Sequence, residues 1–244
     1  MPRVDKGSLT NADRSLRAEH VNGFRAYGFQ SAEGLLANVK PPVILVALNA
    51  EKVGSADERV RRIVNENTGY ADGMGVVLAL RRKGLNASRI AGADLWRKLL
   101  RTRPAGSRLY VIGGTKEVIE AVVEKLPGRF PELVVAGHRD GYLGLVDIEA
   151  LKRDLAATRP NVVLVGMGSP RQELLMDELI RAWPALYMGL GGSLDVFVGR
   201  RRRAPRWMQR SGLEWVFRFV DDPRRLPRLG AYLRFAWLLA RGKL

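Results

Sequence analysis

The chain of 244 residues contains no cysteine. Disulfide bonds, thiolate zinc sites and cysteine nucleophiles are therefore excluded, and the composition fits a reducing compartment. The first twenty residues hold no apolar segment of the signal-peptide kind, and no apolar run approaches the ~20 residues that a membrane-spanning helix needs. We therefore expect a cytoplasmic protein whose contact with a membrane is peripheral.

Three nucleotide- and metal-binding motifs are also missing. The pattern G-x-G-x-x-G never completes, because Leu78, Arg171 and Leu194 stand where the third glycine is required. The missing G-x-G-x-x-G motif disfavours a dinucleotide-dependent dehydrogenase. No G-x-x-x-x-G-K-[ST] sequence occurs either, which argues against a P-loop kinase or ATPase. The D-x-D pair with which many nucleotide-sugar enzymes hold a divalent cation is absent as well. We expect no dedicated metal site and no cofactor.

Acidic residues are scarce towards the C-terminus of this basic chain, whose formal net charge is +16. Residues 200–244 hold thirteen basic but three acidic residues, together with three of the five tryptophans. Dense arginine interleaved with large apolar rings suits an anionic membrane surface. The alternative is a nucleic-acid-binding protein, which would place its basic residues along a groove-reading or base-stacking element. Concentration of the charge in an amphipathic tail favours the membrane.

Short apolar runs alternate with helical periodicity from about residue 42 to residue 192. Besides a strand pair within Val21–Phe29, the predicted strands are Val43–Leu48, Leu109–Ile112, Leu133–Ala136, Val162–Val165 and Ala185–Met188. Strands that are apolar on both faces and alternate with helices indicate a mainly parallel sheet covered on both sides. We predict an α/β, doubly wound core over residues 1–199 and a helical basic appendage over residues 200–244.

Helix boundaries follow from capping residues and apolar spacing. The predicted helices include 31–39, 56–66 and 73–82, and the predicted N-caps are Asp94, Thr115, Asp147 and Ser169, with Pro170 at the first helical position. In the tail, one helix face carries Leu229, Tyr232, Leu233, Ala236, Trp237 and Ala240, with Arg228, Arg234 and Arg241 opposite. A helix of this length can lie on a bilayer but cannot cross it.

Four polar or glycine-rich segments follow predicted strands, at the sheet edge where ligands bind in parallel α/β proteins. They are Leu48–Ala50, Ala71–Gly75, Gly113–Thr115 and Gly166–Glu173. Glycine allows close approach of a ligand to the backbone, and free N–H groups at helix starts attract phosphate oxygens. Together the segments favour a phosphate-bearing ligand that contacts Gly113 and Gly114. Without a metal, arginine and backbone N–H groups must stabilise a departing diphosphate.

Asp72 is the leading candidate for catalysis, because it follows a predicted strand directly and precedes a helix. One interpretation is a general base that deprotonates an acceptor hydroxyl. The other is a simple N-cap of the helix that begins at Gly73. Arg89, one element later, could face a diphosphate.

Six sequence blocks carry a resemblance to the WecG/TagA/CpsF glycosyltransferases. They are ALNAEK (47–52), YADGMGVV (70–77), SRIAGADLW (88–96), GMGSPRQE (166–173), ALYMGLGGSLDVF (185–197) and RAPRWMQRSGLEWVFRFVDDPRR (203–225). The resemblance runs from about Val43 to Arg228 and looks closest to the WecG type. It implies a Rossmann-like core with a membrane-docking appendage, and an inverting, metal-independent hexosyltransferase.

The resemblance also implies roles for individual residues. Asp72 takes the position of the catalytic base, and Arg89 that of the arginine supporting the diphosphate. The matching substrate-binding positions are Asn49, Gln172, Asp195, Arg218, Arg225 and Arg228. The WecG type transfers N-acetylmannosaminuronic acid from its UDP donor to undecaprenyl-diphosphate-linked N-acetylglucosamine.

The donor sugar stays open between this uronic acid, N-acetylmannosamine and glucose, because the lipid and the diphosphate are already anionic and the abundance of arginine does not discriminate among sugars. Ala47 stands where many members carry threonine, so the sugar preference of those members does not carry over to this chain. A non-catalytic scaffold for envelope synthesis is a further alternative, which the presence of Asp72 and Arg89 disfavours. The expected location is the inner face of the cytoplasmic membrane, contacted through residues 200–244.

Overall fold

The computed structural model describes residues 17–244, with the exception of the side chains of Leu145, Val146 and Arg210. The predicted lack of a signal peptide concerns residues that lie almost entirely outside this range. No helix within residues 17–244 combines the length and the apolar composition that crossing a bilayer requires.

The centre of the fold is one eight-stranded sheet, in the order β1-β2-β4-β3-β8-β7-β5-β6. Every neighbouring pair is parallel except β1 with β2. The strands are β1 (Ala18–Val21), β2 (Phe24–Tyr27), β3 (Val43–Leu48), β4 (Thr68–Ala71), β5 (Arg108–Gly113), β6 (Val134–Arg139), β7 (Val162–Gly166) and β8 (Leu186–Gly189). The predicted α/β class with a mainly parallel sheet is confirmed.

Helices cover both faces of the sheet. They are α1 (Ala32–Asn38), α2 (Ala50–Ser55), α3 (Glu58–Glu66), α4 (Met74–Arg82), α5 (Gly92–Arg101), α6 (Lys116–Arg129), α7 (Leu145–Thr158), α8 (Arg171–Ala182), α9 (Ser193–Val198), α10 (Arg206–Arg210), α11 (Glu214–Asp221) and α12 (Leu229–Ala240), with a 3-10 turn over Pro223–Arg228. One apolar core lies under α1, α5, α6 and α9. The other lies under α2, α3, α4, α7, α8 and α12.

Strand β3 shows why these residues form a central strand. Its alternate side chains enter opposite cores, with Ile44 on one face and Leu45 on the other, and both are fully buried. Each such side chain contributes about 1.5–3 kcal/mol by leaving water. The chain then crosses from β4 on one side of β3 to β5 on the other, so the carboxyl ends of β3, β4, β5, β7 and β8 meet at one edge.

The predicted helix over 56–66 is wrong at its start, because two helices occupy this region. Asn49 caps the additional helix α2 by accepting a hydrogen bond from the Lys52 N–H at 3.0 Å. Ala56, in the left-handed region at φ 52°, then separates α2 from α3, whose N-cap is Asp57. An alanine in that conformation carries no turn signature in the sequence.

Thr115 caps α6 as predicted, whereas three other predicted caps are wrong. Asp94 and Asp147 are each the third residue of their helices, where Asp94 pairs with Arg203 and Asp147 accepts from the Gly144 N–H at 3.0 Å. Helix α8 begins at Arg171, one residue later than predicted. The strand pair spans residues 18–27 and so begins three residues before the predicted range Val21–Phe29. An acidic residue near a helix start can be the N-cap itself or can stand at the third helical position and accept from the backbone N–H of the N-cap. The sequence pattern does not distinguish these two positions.

The tail packs on the core through the side of α12 that carries Phe235, and not through the apolar face that the spacing predicts. Phe235 is 3 % exposed and lies in the core, whereas Leu233 and Trp237, from the predicted apolar face, are 63 % and 49 % exposed. The approach is close at Gly54 of α2, where an added Cβ would lie 1.9 Å from the Ala231 carbonyl oxygen. Helix α12 is therefore apolar on two sides, one buried and one open to solvent.

Substitution of Gly54 by alanine should loosen this contact. Because the new methyl group meets backbone rather than a movable side chain, we expect a loss of about 1–3 kcal/mol in the free energy of unfolding. Faster tryptic cleavage within residues 200–244 should accompany it. The control is Gly230→Ala in α12, where nothing lies within 4 Å and stability should hold or rise. Equal behaviour of the two variants would contradict the proposed contact.

Candidate active site

A cavity of about 950 Å³ opens at the carboxyl ends of the parallel strands. Its walls come from the segments after β3, β4, β5, β6, β7 and β8 and from the tail. Of the residues singled out in the sequence, those that line it are Asn49, Asp72, Gly114, Gln172, Asp195, Arg218, Arg225 and Arg228. Gly113 and Arg89 are not among the lining residues.

Asp72 follows β4 and does not cap α4, whose N-cap Gly73 receives no side-chain hydrogen bond. Its Oδ1 instead accepts from the N–H of Gly92, the first residue of α5, at 2.8 Å. Among the hydrogen bonds of residues 17–244, none involves Oδ2. One carboxylate oxygen is thus fixed by a backbone amide, and the other is available to a ligand.

Tyr70 lies fully buried beside this carboxylate, on β4. Burial above all, and then the negative charge of Asp72, raise the pKa of its hydroxyl well above the usual range. An added Cβ at Gly92 would lie 3.0 Å from the Tyr70 hydroxyl oxygen, so Gly92 permits the tight packing of α5 against β4.

Arg89 does not line the cavity, and its guanidinium group binds the Asp72 loop and the tail. Its Nε donates to the carbonyl oxygen of Asp72 at 2.8 Å, and its Nη2 donates to Glu214 at 2.8 Å. A third hydrogen bond joins Nη1 to the carbonyl oxygen of Gln209. Arg89 therefore links the Asp72 loop to the tail.

Gln172 holds the glycine-rich loop after β8. Its Oε1 accepts from the Gly191 N–H at 2.9 Å, and an added Cβ at Gly189 would lie 2.4 Å from its Nε2. Asp195, in the short helix α9 that follows this loop, lines the same cavity.

Gly113 supports the neighbouring part of the cavity wall without lining it. At φ 131°, its Cα lies so close to β7 that a Cβ would come within 2.3 Å of the Gly166 carbonyl oxygen. Gly114, at φ 70°, faces the cavity and donates its N–H to the same oxygen at 3.2 Å. Both positions depend on glycine, because side chains are disfavoured at these angles.

The tail supplies four arginines to the cavity, namely Arg201, Arg218, Arg225 and Arg228. Carboxylates pair with them: Glu214 with Arg218 at 3.0 Å, Glu51 with Arg228 at 2.8 Å, and Asp222 with both Arg201 and Arg225. Burial first, and then repulsion by neighbouring arginines, lower the pKa of Arg225. Positive charge crowded to this degree attracts a polyanion such as a diphosphate.

Two further groups went unnoticed in the sequence. Lys52 lines the cavity and forms an ion pair of 2.6 Å with Glu173, and their side chains are 6 % and 1 % exposed. Burial by itself would raise the pKa of Glu173, but the Lys52 ammonium lowers it overall. Tyr142 is 72 % exposed at the cavity wall, where an aromatic ring can stack on a base. Lys52 and Glu173 lie within the segments ALNAEK (47–52) and GMGSPRQE (166–173), whereas Tyr142 is identified only by its exposure in the fold.

A family model described as glycosyl transferase, WecG/TagA/CpsF family, matches residues 26–244. The match spans the sheet from β2 onward and the whole tail. Every cavity residue named above lies within it. Among residues 17–244, no group of three or more histidine or acidic side chains converges in a way that could hold a metal ion.

Substitution of Lys52 by methionine should leave the buried Glu173 carboxylate without its cationic partner, although the neutral Gln172 amide still donates to it. Its pKa in the folded protein should then rise above that in the unfolded chain, so the variant loses stability as the pH rises through the unfolded pKa. We expect a loss of about 3–5 kcal/mol at neutral pH and a smaller loss near pH 4. Urea unfolding at both pH values measures it.

The double variant Lys52→Met, Glu173→Gln removes the stranded charge and provides the control. It should recover stability at neutral pH relative to Lys52→Met, with little dependence on pH from this site. A single variant with the wild-type stability at both pH values would refute a buried ion pair.

Proposed function

Because the chain belongs to the WecG/TagA/CpsF family of glycosyltransferases, we propose that it transfers a hexose-type sugar from a UDP donor to a polyprenyl-diphosphate-linked N-acetylglucosamine. The sugars we favour are N-acetylmannosaminuronic acid and N-acetylmannosamine, and the product would serve bacterial surface polysaccharide synthesis. The observation that carries the proposal is a carboxylate, Asp72, in a cavity that also holds four tail arginines.

The proposed reaction is a single displacement. Asp72 accepts the proton of the acceptor hydroxyl through its unengaged Oδ2, while that oxygen attacks the anomeric carbon. The bond from this carbon to the diphosphate oxygen breaks, and UDP leaves with the electron pair. Attack opposite the leaving group inverts the anomeric centre. The Gly92 N–H supports this role, because it fixes Oδ1 and so restricts the orientation of the carboxylate.

Arginines replace a cation in the proposed mechanism. Negative charge develops on the diphosphate as UDP departs, and Arg218, Arg225 and Arg228 line the cavity that would receive it. Preorganised cationic donors in a partly enclosed site stabilise such charge more strongly than water does. Bidentate guanidinium groups also match phosphate geometry. Arg89 would act indirectly, by fixing the Asp72 loop and the tail.

The nucleoside would occupy the side of the cavity formed by Tyr142, Gly114 and Asp195. The exposed Tyr142 ring offers a stacking surface for uracil, and Asp195 offers a carboxylate acceptor for N–H or hydroxyl groups. Ala47 lines the cavity near Asp72, and its small side chain leaves room where threonine would place a hydroxyl.

Membrane binding through residues 200–244 would bring the lipid-linked acceptor to the cavity, at the inner face of the cytoplasmic membrane. The large apolar side chains exposed in this tail are Trp207, Leu213, Trp215, Val220, Leu226, Leu229, Leu233 and Trp237. Arg241 and Lys243 stack on the Trp237 ring. Apolar rings flanked by cations suit the interface of an anionic bilayer.

The replacement of Asp72 by asparagine should lower turnover by about 10²–10⁴-fold, the usual contribution of a general base. The assay is UDP release from a panel of UDP-sugars with short-chain polyprenyl-diphosphate N-acetylglucosamine, in the presence of a chelator. UDP affinity, measured by calorimetry, should stay within a few-fold of wild type, because the substitution keeps the side-chain shape.

Asp177→Asn is the matched control, since Asp177 pairs with Arg62 and Arg181 and none of the three lines the cavity. It should retain wild-type turnover. Full activity of Asp72→Asn would exclude the base, and a strict metal requirement would exclude the arginine-based mechanism. Preference for UDP-glucose in the panel would replace the favoured sugars with the alternative hexose.

Leu233→Glu should weaken binding to vesicles of phosphatidylethanolamine and phosphatidylglycerol by about tenfold or more, because a carboxylate on the lipid-facing side repels anionic headgroups and loses apolar contact. Co-sedimentation measures it, and turnover with a soluble short-chain acceptor should change little. Val134→Glu, at an exposed position of the edge strand β6, is the control. Unchanged vesicle binding of Leu233→Glu would refute this surface.

A further inference from the structure

Glu214 is a buried acidic residue in an otherwise arginine-rich tail. It begins α11, and its side chain is 9 % exposed. Its two oxygens bind different arginines: Oε2 accepts from Arg89 at 2.8 Å, and Oε1 accepts from Arg218 at 3.0 Å. A buried carboxylate is tolerated when opposite charges and hydrogen bonds saturate it, and these two arginines meet that condition.

One of the two arginines is anchored in the core. Arg89 is 19 % exposed and donates to the backbone carbonyl oxygen of Asp72, the candidate base, at 2.8 Å. It cannot turn towards the cavity without giving up this bond and its bond to the Gln209 carbonyl. The position of Glu214 is therefore fixed relative to Asp72 through a single side chain.

The other arginine faces the cavity. The side chain of Arg218 is 46 % exposed, and the one hydrogen bond it makes among residues 17–244 is to Glu214. Burial alone would lower the pKa of Arg218, but the carboxylates of Asp72 and Glu214 raise it overall. A long flexible side chain loses rotamer entropy when it binds a ligand, and a partner that preorders it reduces that loss.

We infer that Glu214 is a positioning residue for the transfer reaction, which holds the Arg218 guanidinium beside the departing diphosphate while Arg89 anchors it to the Asp72 loop. The inference rests on the proposed function, because it assigns Glu214 an effect on the chemical step. The competing explanation is purely structural, in which Glu214 fastens the tail to the core through Arg89 and has no effect through Arg218.

A double-mutant cycle between Glu214 and Arg218 separates the two explanations. The variants are Glu214→Gln, Arg218→Met and both together, assayed for UDP release with the donor that the wild type uses. We expect Glu214→Gln to lower kcat about tenfold with a donor KM within about threefold of wild type. If Glu214 acts through Arg218, the double variant should lie within about twofold of Arg218→Met alone.

Tail docking is measured on the same proteins by tryptic cleavage within residues 200–244. Glu214→Gln keeps a hydrogen-bonding amide towards Arg89, so its cleavage rate should stay near wild type. The control Glu149→Gln changes a surface glutamate of α7 that pairs with Lys152 and should alter neither readout. The positioning role would be overturned if the kcat losses of the two single variants multiplied in the double variant. It would also be overturned if Glu214→Gln lowered kcat only in proportion to faster tryptic cleavage of the tail.

The failure of the proposed function gives a different result from the failure of this inference. A wild-type protein that transfers no sugar in the full donor panel would refute both. An active wild type with independent effects at Glu214 and Arg218 would leave the transferase function intact and refute the positioning role alone.

Discussion

The contact between α12 and α2 is the interaction on which the cavity depends. Residues 200–244 contribute four of its arginines, and they reach it because the backbone of α12 lies directly on Gly54. The same helix α2 begins at Asn49, which lines the cavity, so the surface that receives the tail is continuous with the site. Phe235 then buries the inner side of α12 in the core. Removal of this contact would leave the strand ends open on one side.

The docked tail also determines the charge around the cavity, because it brings four arginines to one place. Arginines crowded around one cavity repel each other, and the carboxylates Glu51, Asp222 and Glu214 offset this repulsion in the unliganded protein. These carboxylates differ in accessibility, because Glu214 is nearly buried while Glu51 is 22 % exposed. The ion pairs of Glu51 and Asp222 reach solvent more than that of Glu214 does, and the contribution of an ion pair to stability falls as its exposure to water rises. The buried one is retained as part of the framework.

Much of the fold was predictable because it depends on local pattern. Val43–Leu48 is apolar on both faces, and its strand boundaries match the prediction at both ends. The carboxyl ends of parallel strands also brought Asn49, Asp72 and Gln172 to one cavity, as topology requires. The orientation of Arg89 was not predictable, because its partner Glu214 lies 125 residues away in sequence. The buried face of α12 escaped prediction too, since both sides of that helix are apolar and packing alone selects between them.

The position of β8 has a consequence for how the protein forms. Strands β1, β2, β4 and β3 make one part of the sheet, β7, β5 and β6 make the other, and β8 is the strand that joins β3 to β7. Because β8 is the last strand in the chain, a ribosome must release about 190 residues before the two parts can unite. Until then, the apolar edges of β3 and β7 have no partner. Long-range parallel pairing of this kind is slow, and an unpaired apolar strand edge is a site of aggregation, so the late position of β8 prolongs the exposure of both edges during synthesis.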